Sequence, residues 1–303
     1  MFENKPSPKL ESYVVTLVGE PGVGKTTFFV EAKALLLDFE LGFKAMECKA
    51  VSFVDNKAPP IKWSKPHDAI VQKNGWESLH PWMRLKLFVN EFCWGDEKEN
   101  GFTAHGMQPP PCLAIDSIDA CYEHCMDFVC SQNGWEDPDD GGKFGKGWKA
   151  VLKEFKAVME HILRWAHQPA IGCGVGFISH SKVRTTRSFG QEAVDKVTMA
   201  VSPSAAKWLF AISDFVFYAE CAVDLEGKDM RVLHTQPTAR FDAKSRGRRD
   251  TPFPSPLPLA YASFALSWRS IVTGEQALHV EPVALKRAAP SFNENQTNSV
   301  WSM

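Results

Sequence analysis

Short apolar runs recur along the chain, and helical periodicity follows several of them. Residues 13–18 are apolar, rich in β-branched side chains and followed by a glycine, which is the pattern of a buried parallel strand. Runs of this kind are predicted strands at residues 13–18, 112–116, 174–179 and 213–219. Apolar side chains at helical spacing predict helices at residues 26–37, 119–130 and 148–167. The alternation predicts an α/β fold with a mostly parallel central β-sheet flanked by helices, and a site at the carboxyl ends of the strands.

Three parts of the chain are less regular. A second strand is predicted at residues 34–40, but its pattern overlaps the end of the first helix, so the boundary between them stays open. Residues 55–111 contain repeated prolines, and only residues 76–92 have clear helical spacing, so we predict an irregular insertion there. Residues 286–303 are polar with little periodicity and are predicted to form a flexible tail.

Composition narrows the classes of protein that fit. The chain has 303 residues, of which 44% are hydrophobic and 23% charged, and its net charge is -2. These values suit a globular protein and exclude a strongly basic nucleic-acid coat, so any nucleic-acid surface must be local. Eight scattered cysteines indicate reduced thiols, and no apolar run reaches the ~20 residues of a membrane helix. We therefore expect a cytoplasmic protein without membrane contact, and we expect most of its tryptophans in the core rather than stacked on bases.

The strongest motif follows the first predicted strand. Residues 19–26 read GEPGVGKT and match G-x-x-x-x-G-K-S/T between a strand and a helix, where backbone N–H groups surround the phosphates of a nucleotide. The alternative is a chance glycine-rich turn, which the agreement of strand, loop and helix disfavours. Lys25 is predicted to contact the β- and γ-phosphates of ATP, and Thr26 to bind Mg²⁺. The predicted nucleotide-binding residues are Gly19, Glu20, Pro21, Gly22, Val23, Gly24, Lys25, Thr26 and Thr27.

Two strand ends supply carboxylates for the chemistry of ATP hydrolysis. Asp116 closes an apolar strand, where P-loop enzymes hold Mg²⁺ with a carboxylate; a helix N-cap is the alternative role. Residues 35–42 read LLLDFELG and also end in acids. Glu40 or Asp38 could position and deprotonate the attacking water, or both could belong to a solvated strand end.

Polar and basic residues follow the later strands. His180 ends the strand at 174–179 and could sense the γ-phosphate, although a lone histidine is more often structural. Lys182, Arg184 and Arg187 lie in a predicted loop at residues 182–196, which either contacts the phosphate backbone of a nucleic acid or is simply solvated. The densest basic run, residues 240–249, could reach a neighbouring subunit's nucleotide, bind nucleic acid or be exposed.

The order of these motifs resembles the RecA-like branch of P-loop ATPases. It is most similar to a phage-encoded, ATP-binding family with an AAA domain that is linked to single-strand annealing. The resemblance rests on residues 19–27, 38–42, 115–119, 145–148, 178–181 and 244–246. We therefore predict a RecA-like P-loop ATPase domain at residues 1–260, interrupted by the insertion at about 55–111. Residues 261–303 are predicted to be a C-terminal strand or extension with the tail.

The resemblance also implies roles for individual residues. Glu40 corresponds to the catalytic glutamate of the RecA group, His180 to the polar residue that closes the strand beside the γ-phosphate, and residues 182–203 to the DNA-binding loop. Lys244 and Arg246 correspond to the paired basic residues that reach across a subunit interface. The histidine at 180, where the group usually has glutamine, and the long insertion are departures from the pattern.

Together these features predict a Mg²⁺-dependent ATPase that works as a homo-oligomer on single-stranded DNA in phage-type recombination or annealing. One alternative is an ATP-gated DNA-binding or assembly module with negligible turnover. Another is a small-molecule or nucleoside kinase, for which residues 240–249 are the one candidate for an arginine-rich lid.

Overall fold

The structure is a computed structural model that describes residues 7, 12–59, 61–96, 98–186, 194–245, 252–275, 278 and 280–286. Within these residues one sheet contains ten strands: β1 (Val14–Gly19), β2 (Leu35–Asp38), β3 (Lys49–Ser52), β4 (Cys112–Asp116), β5 (Gly174–Thr186), β6 (Val194–Met199), β7 (Phe215–Val223), β8 (Asp229–His234), β9 (Lys244–Ser245) and β10 (Leu257–Pro258). The α-helices of the same residues are α1 (Lys25–Glu31), α2 (Lys65–Asn74), α3 (Pro81–Phe92), α4 (Gly101–Ala104), α5 (Ile118–Asn133), α6 (Lys146–Ala166), α7 (Pro203–Ile212) and α8 (Tyr261–Thr273).

The central sheet is mostly parallel, with strand order β10-β8-β7-β1-β5-β4-β2-β3. The pairs from β7 through β3 are parallel, while β8 and β10 add antiparallel strands at one edge. The strand that leads into the P-loop, β1, is separated from the strand that ends at Asp116, β4, by β5. The predicted α/β fold class, with helices flanking a mostly parallel sheet, is confirmed.

The register of the parallel strands brings the predicted site residues to one edge of the sheet. Gly19 at the end of β1 pairs with His180 on β5. Asp116 at the end of β4 pairs with Ile178 on one side and with Asp38 on the other. Because parallel strands align their carboxyl ends, the loops that follow β1, β2, β4 and β5 meet above this edge.

Each face of the sheet has its own apolar core. One face packs against α3, α5 and α6, and α6 contributes a stripe of buried side chains at helical spacing that includes Val151, Phe155 and Met159. The other face packs against α1 and α8, with Phe28 and Trp268 among the buried side chains. Burial of a side chain of this size stabilises the fold by about 1.5–3 kcal/mol.

The first helix is shorter than the predicted helix at residues 26–37, and β2 lies within the strand predicted at residues 34–40. Helix α1 ends at Glu31, and Lys33 adopts a positive φ of 57° that turns the chain into β2. Leu36 and Leu37 therefore belong to a strand, and both are fully buried by the flanking helices. An apolar run buried on both sides fits a central strand as well as a helix, which is why periodicity alone left this boundary open.

The predicted insertion is more regular than expected. Residues 55–111 contain α2, α3 and α4, and α3 adds Trp82 and Phe88 to the core shared with α5 and α6. The buried Arg84 donates from Nη1 to the carbonyl oxygens of Phe53 and Asp55, at 2.8 Å each, and so fixes the start of the segment. The insertion is an integral part of the domain's packing.

A buried carboxylate joins three parts of the insertion. Glu91 accepts hydrogen bonds from the Ser64 backbone N–H at 3.0 Å, from Ser64 Oγ at 2.8 Å and from His105 Nε2 at 2.7 Å, and it also pairs with His67 Nδ1. Burial raises the pKa of Glu91, but the hydrogen bonds from His67, Ser64 and His105 outweigh it and hold this pKa below its usual value.

Two further predictions are corrected by the structure. Residues 182–196 were expected to form a loop, but β5 continues to Thr186 and pairs with β6 in an antiparallel ladder, which we call the β5–β6 arm. The expected C-terminal strand is helix α8, whose Phe264 and Trp268 complete the core over α1. The predicted tail is residues 286–303, and all of it after residue 286 lies outside the described residues. In the described part of the chain, no helix is long and apolar enough to cross a membrane.

Candidate active site

The P-loop is held between β1 and α1 by two glycines with different roles. Gly19 lies so close to β7 that an added β-carbon would be 2.3 Å from the Ala219 carbonyl oxygen. Gly24 has a φ of 106° and precedes α1, whose N-terminus has no side-chain cap. The backbone N–H groups of this turn are therefore not capped by a side chain and can bind phosphate oxygens. Arg231 of β8 lies beside the same turn, with Nη1 3.3 Å from the position of a Gly24 β-carbon.

Lys25 is buried within the loop that it follows. Its side chain is 5% exposed, and Nζ donates to the carbonyl oxygens of Gly19 at 2.7 Å and Glu20 at 2.8 Å. Burial lowers the pKa of Lys25, while the carboxylates of Asp116 and Asp119 offset part of this effect. Several carboxylates of the site therefore interact electrostatically with the Lys25 ammonium group.

Thr26 and Asp116 meet at the base of the site. Thr26 Oγ1 donates to Asp116 Oδ2 at 2.7 Å, and Asp116 is 6% exposed. Burial raises the pKa of Asp116 to about 6; the Thr26 hydrogen bond lowers it and the neighbouring Glu40 carboxylate raises it. The alternative role as a helix N-cap is taken by Ser117, whose Oγ accepts from the Ala120 N–H at 3.2 Å.

The hydroxyl and carboxylate oxygens of Thr26 and Asp116 are the donors that Mg²⁺ prefers. A raised pKa at Asp116 reflects uncompensated negative charge in a buried place, which a divalent cation would neutralise. These residues therefore fit the ion that the P-loop implies.

Glu40 and Asp38 differ in burial and in hydrogen-bond partners. Asp38 is buried, and its carboxylate accepts from the backbone N–H of Leu41 at 3.0 Å, which stabilises the turn after β2. Glu40 is exposed and accepts a hydrogen bond from Ser117 Oγ, directly after β4. Of the two acids, Glu40 presents its carboxylate to the space beside the P-loop.

Asp119 is a site residue that the sequence analysis did not identify. Asp119 Oδ1 accepts from the His180 backbone N–H at 2.9 Å, and Oδ2 lies 2.6 Å from His180 Nδ1. Glu40 Oε1 lies 3.5 Å from the same nitrogen. One ligand atom of each of these three side chains lies within 4.8 Å of the others. The only signal in the sequence was the position of Asp119 in the first turn of the helix that follows Asp116.

The basic candidates lie apart from this cluster. Lys182 and Arg184 are on β5 beyond His180, and Arg184 Nη2 donates to the Val201 carbonyl oxygen. Lys244 Nζ donates to the carbonyl oxygens of Phe210 at 2.9 Å and Ala211 at 3.1 Å at the end of α7.

Lys244 does not approach the P-loop of its own chain. It pairs with Val216 of β7, and Val216 pairs with Thr16, three residues before the end of β1. Its role across a subunit interface stays a prediction. Arg187 and Arg246 lie outside the described residues.

Comparison with known families assigns the domain that carries this site. A model of a family described as an AAA domain matches residues 11–247. The chain belongs to this AAA domain family. The match includes the P-loop, the strand ends with Glu40 and Asp116, and the β5–β6 arm. This AAA domain is a nucleotide-binding P-loop ATPase domain, as the sequence predicted.

Comparison with solved structures and with curated proteins adds little to this assignment. The chain is similar to the flagellar accessory protein FlaH from Methanocaldococcus jannaschii, with 9% identity, coverage of 74% of this chain and 77% of that chain, and a TM-score of 0.31. A similarity at this level carries no argument about function. No match was found among curated proteins.

Proposed function

We propose that the protein is a Mg²⁺-dependent ATPase that acts as a homo-oligomer on single-stranded DNA in phage-type recombination or annealing. The observation that supports hydrolysis most strongly is the position of Glu40. Its carboxylate lies near enough to interact electrostatically with Lys25. It is also hydrogen-bonded to Ser117, the residue directly after the Asp116 that pairs with Thr26. A base, a cation and a metal-binding pair therefore converge at one edge of the sheet.

The P-loop and β4 would hold the nucleotide and its metal ion. Thr26 Oγ1 and Asp116 would hold Mg²⁺, which neutralises charge on phosphate oxygens when bound. Lys25 would exchange its two carbonyl partners for oxygens of the β- and γ-phosphates. The uncapped N–H groups after Gly22 and Gly24 would contact the same phosphates.

Glu40 would accept the proton from the attacking water. The water oxygen forms a bond to the γ-phosphorus as the bond from that phosphorus to the bridging oxygen breaks, so the products are ADP and phosphate. The Ser117 hydrogen bond directs one Glu40 oxygen, and the other can face the water. His180, fixed by Asp119, lies beside Glu40 and would respond to the loss of the γ-phosphate.

The β5–β6 arm supports the proposed action on DNA. His180 at the site and Lys182 and Arg184 on the arm belong to one continuous strand. The P-loop also contacts the start of the arm directly, because Ser181 Oγ donates to Glu20 Oε1. A change at the phosphates thus has a short covalent and hydrogen-bonded route to basic side chains that can contact a phosphate backbone.

Phosphate release, measured with and without single-stranded DNA and alongside the size-exclusion mass, tests this proposal. We expect turnover that needs Mg²⁺, rises with single-stranded DNA and accompanies assembly. Turnover without any DNA effect would contradict the action on DNA. DNA binding that a non-hydrolysable analogue supports as well as ATP, with no phosphate release, would indicate the nucleotide-gated module instead. Phosphate transfer to a nucleoside would indicate a kinase.

A further inference from the structure

A groove of about 630 Å³ lies between the β5–β6 arm and the start of α6. Lys182 and Arg184 line it from the arm, and Trp148 and Lys149 line it from α6. Phe144, in the turn before α6, closes one side. The groove is separate from the P-loop but lies two residues along β5 from His180, so it adjoins the proposed ATPase site.

Two aromatic rings of this groove are exposed to solvent. Phe144 is 88% exposed and adopts a left-handed conformation, with φ 66° and ψ 28°, which costs free energy for a residue other than glycine. Trp148 is 36% exposed, and its Nε1 donates to Asp139 Oδ1 at 2.8 Å, which fixes the direction of the ring. Neither ring is buried by its own domain, so packing of the core does not account for their position.

The charges around the rings are mostly positive. Lys149, Lys182 and Arg184 line the groove; Glu123 is the one acid among its lining residues in the described part of the chain, and Asp139 contacts the Trp148 ring from outside the lining. The first turn of α6 contains no acidic residue, although negative charge is favoured at a helix N-terminus. The charge pattern therefore suits a polyanion.

We propose that this groove binds single-stranded nucleic acid, with bases stacked on Phe144 and Trp148 and phosphates in contact with Lys149 and Lys182. This inference rests on the proposed action on DNA and specifies the surface that carries it. Exposed rings beside cations fit a single strand because its bases are free to stack, whereas a duplex keeps its base faces covered. Stacking of this kind does not depend on the base sequence, so the groove should distinguish single strands from duplexes rather than one sequence from another.

Fluorescence anisotropy with the full chain separates stacking from charge. Labelled oligothymidine and an abasic oligomer of equal length are the two probes. Phe144→Ala and Trp148→Ala should each weaken oligothymidine binding on the order of 5- to 150-fold, the range for loss of one stacked base. Both should leave abasic binding and the salt dependence unchanged. Phe144→Trp and Trp148→Phe, which keep a ring, should bind close to the wild type.

Lys182→Gln and Leu225→Ala complete the design. Lys182→Gln should weaken binding of both probes and reduce the salt slope by about 0.7, as expected for one lost phosphate contact on a single strand. Leu225 is 66% exposed beside the turn between β7 and β8, so Leu225→Ala removes an exposed apolar side chain outside the groove and should change nothing. The melting temperature of each variant shows that it is folded.

Several outcomes would overturn the inference. If Phe144→Ala and Trp148→Ala bind oligothymidine as tightly as the wild type, the groove is not the binding site, and the proposed action on DNA is unaffected. If an alanine variant loses as much affinity for the abasic oligomer as for oligothymidine, the ring does not act by stacking on a base. Equal affinity for a labelled duplex of the same length, measured alongside the two probes, refutes the single-strand preference. If the wild type binds no single strand, the groove and the DNA part of the proposed function both fail, whereas ATP turnover remains an independent test.

Discussion

Replacement of Asp119 by asparagine tests whether this residue sets the state of His180. The Asp119 carboxylate accepts from both the backbone N–H and Nδ1 of His180, at 2.9 and 2.6 Å, so the ring proton is held on Nδ1. In Asp119→Asn the amide nitrogen would face Nδ1 and donate to it, which moves the ring proton of a neutral imidazole to Nε2. The substitution changes size very little, and its main effect is therefore on the tautomer and orientation of the ring.

The expected loss follows from the hydrogen bonds that change. Asp119 is 7% exposed, and hydrogen bonds to a charged group with little solvent contribute about 1.5–3 kcal/mol. If that energy orients His180 during hydrolysis, kcat should fall on the order of 10- to 150-fold. KM for ATP should change less than kcat, because none of the described hydrogen bonds of Asp119 reaches the P-loop, although the lost charge also acts on Lys25. Single-turnover phosphate release gives kcat, and nitrogen NMR of the histidine ring reports the tautomer.

A double-mutant cycle with His180→Gln provides the control. Asp119→Asn should cost much less in the His180→Gln background, because the group through which Asp119 acts is already gone. An equal cost in both backgrounds, or an unchanged ring tautomer, would refute the reasoning and leave Asp119 with a structural role only.

Three further substitutions test other parts of the structure. Gly19→Ala should lower the free energy of unfolding by about 1–3 kcal/mol or more, because its methyl group meets the Ala219 carbonyl; Gly42→Ala, where nothing lies within 4 Å, is the control in thermal unfolding. Asp116→Asn should abolish ATPase activity. In the absence of Mg²⁺ and at a pH well above 6, its melting temperature should be higher than that of the wild type, and this difference should disappear at about pH 4. In the wild type, burial raises the pKa of Asp116 to about 6. The free energy of unfolding is therefore highest at low pH and falls by about 3 kcal/mol as the pH rises through this value and Asp116 ionises. Glu91→Ala should cost about 3 kcal/mol in denaturant unfolding, since it leaves several donors of the insertion without their acceptor; a cost below 1 kcal/mol would contradict that role.

The parts of the fold that follow local rules were predictable from the sequence. The P-loop is a contiguous motif whose glycines, lysine and threonine have fixed spacing, and β1, β4 and α6 have clear apolar patterns. Asp116 could be found because it ends an apolar strand. The register that pairs Asp38 with Asp116 and Gly19 with His180 then explains why residues far apart in the chain share one site.

Other features depend on contacts that a sequence pattern does not contain. Asp119 looked like an ordinary first-turn acid of a helix, and only the adjacency of β4 and β5 brings it to His180. The sequence of the β5–β6 arm was interpreted as a polar loop because exposed and half-buried side chains occur on both faces of the arm. The alternation of apolar and polar residues that indicates a strand is therefore absent. Helix α8 was missed because its amphipathic pattern is weak and its partners lie on α1, far away in the chain.

The tryptophans show the limit of composition as a guide. Trp63, Trp76 and Trp82 are core residues, as expected for most of the set. Trp148 is exposed beside Phe144, and nothing in the local sequence separates it from the buried ones. The distinction depends on tertiary contacts: the start of α6 packs on the turn at Pro138, where an added β-carbon on Gly147 would lie 1.9 Å from the Pro138 carbonyl oxygen.

Single-turnover hydrolysis by Glu40→Gln tests the central claim most directly. With protein in excess over ATP and with Mg²⁺ and single-stranded DNA present, the wild type should convert bound ATP to ADP and phosphate. Glu40→Gln should bind ATP equally well and hydrolyse it about 10²- to 10⁴-fold more slowly, the range for loss of a general base. Glu47→Gln, an exposed glutamate on the same connection, is the matched control. Hydrolysis by Glu40→Gln at the wild-type rate, or none by the wild type, would contradict the account.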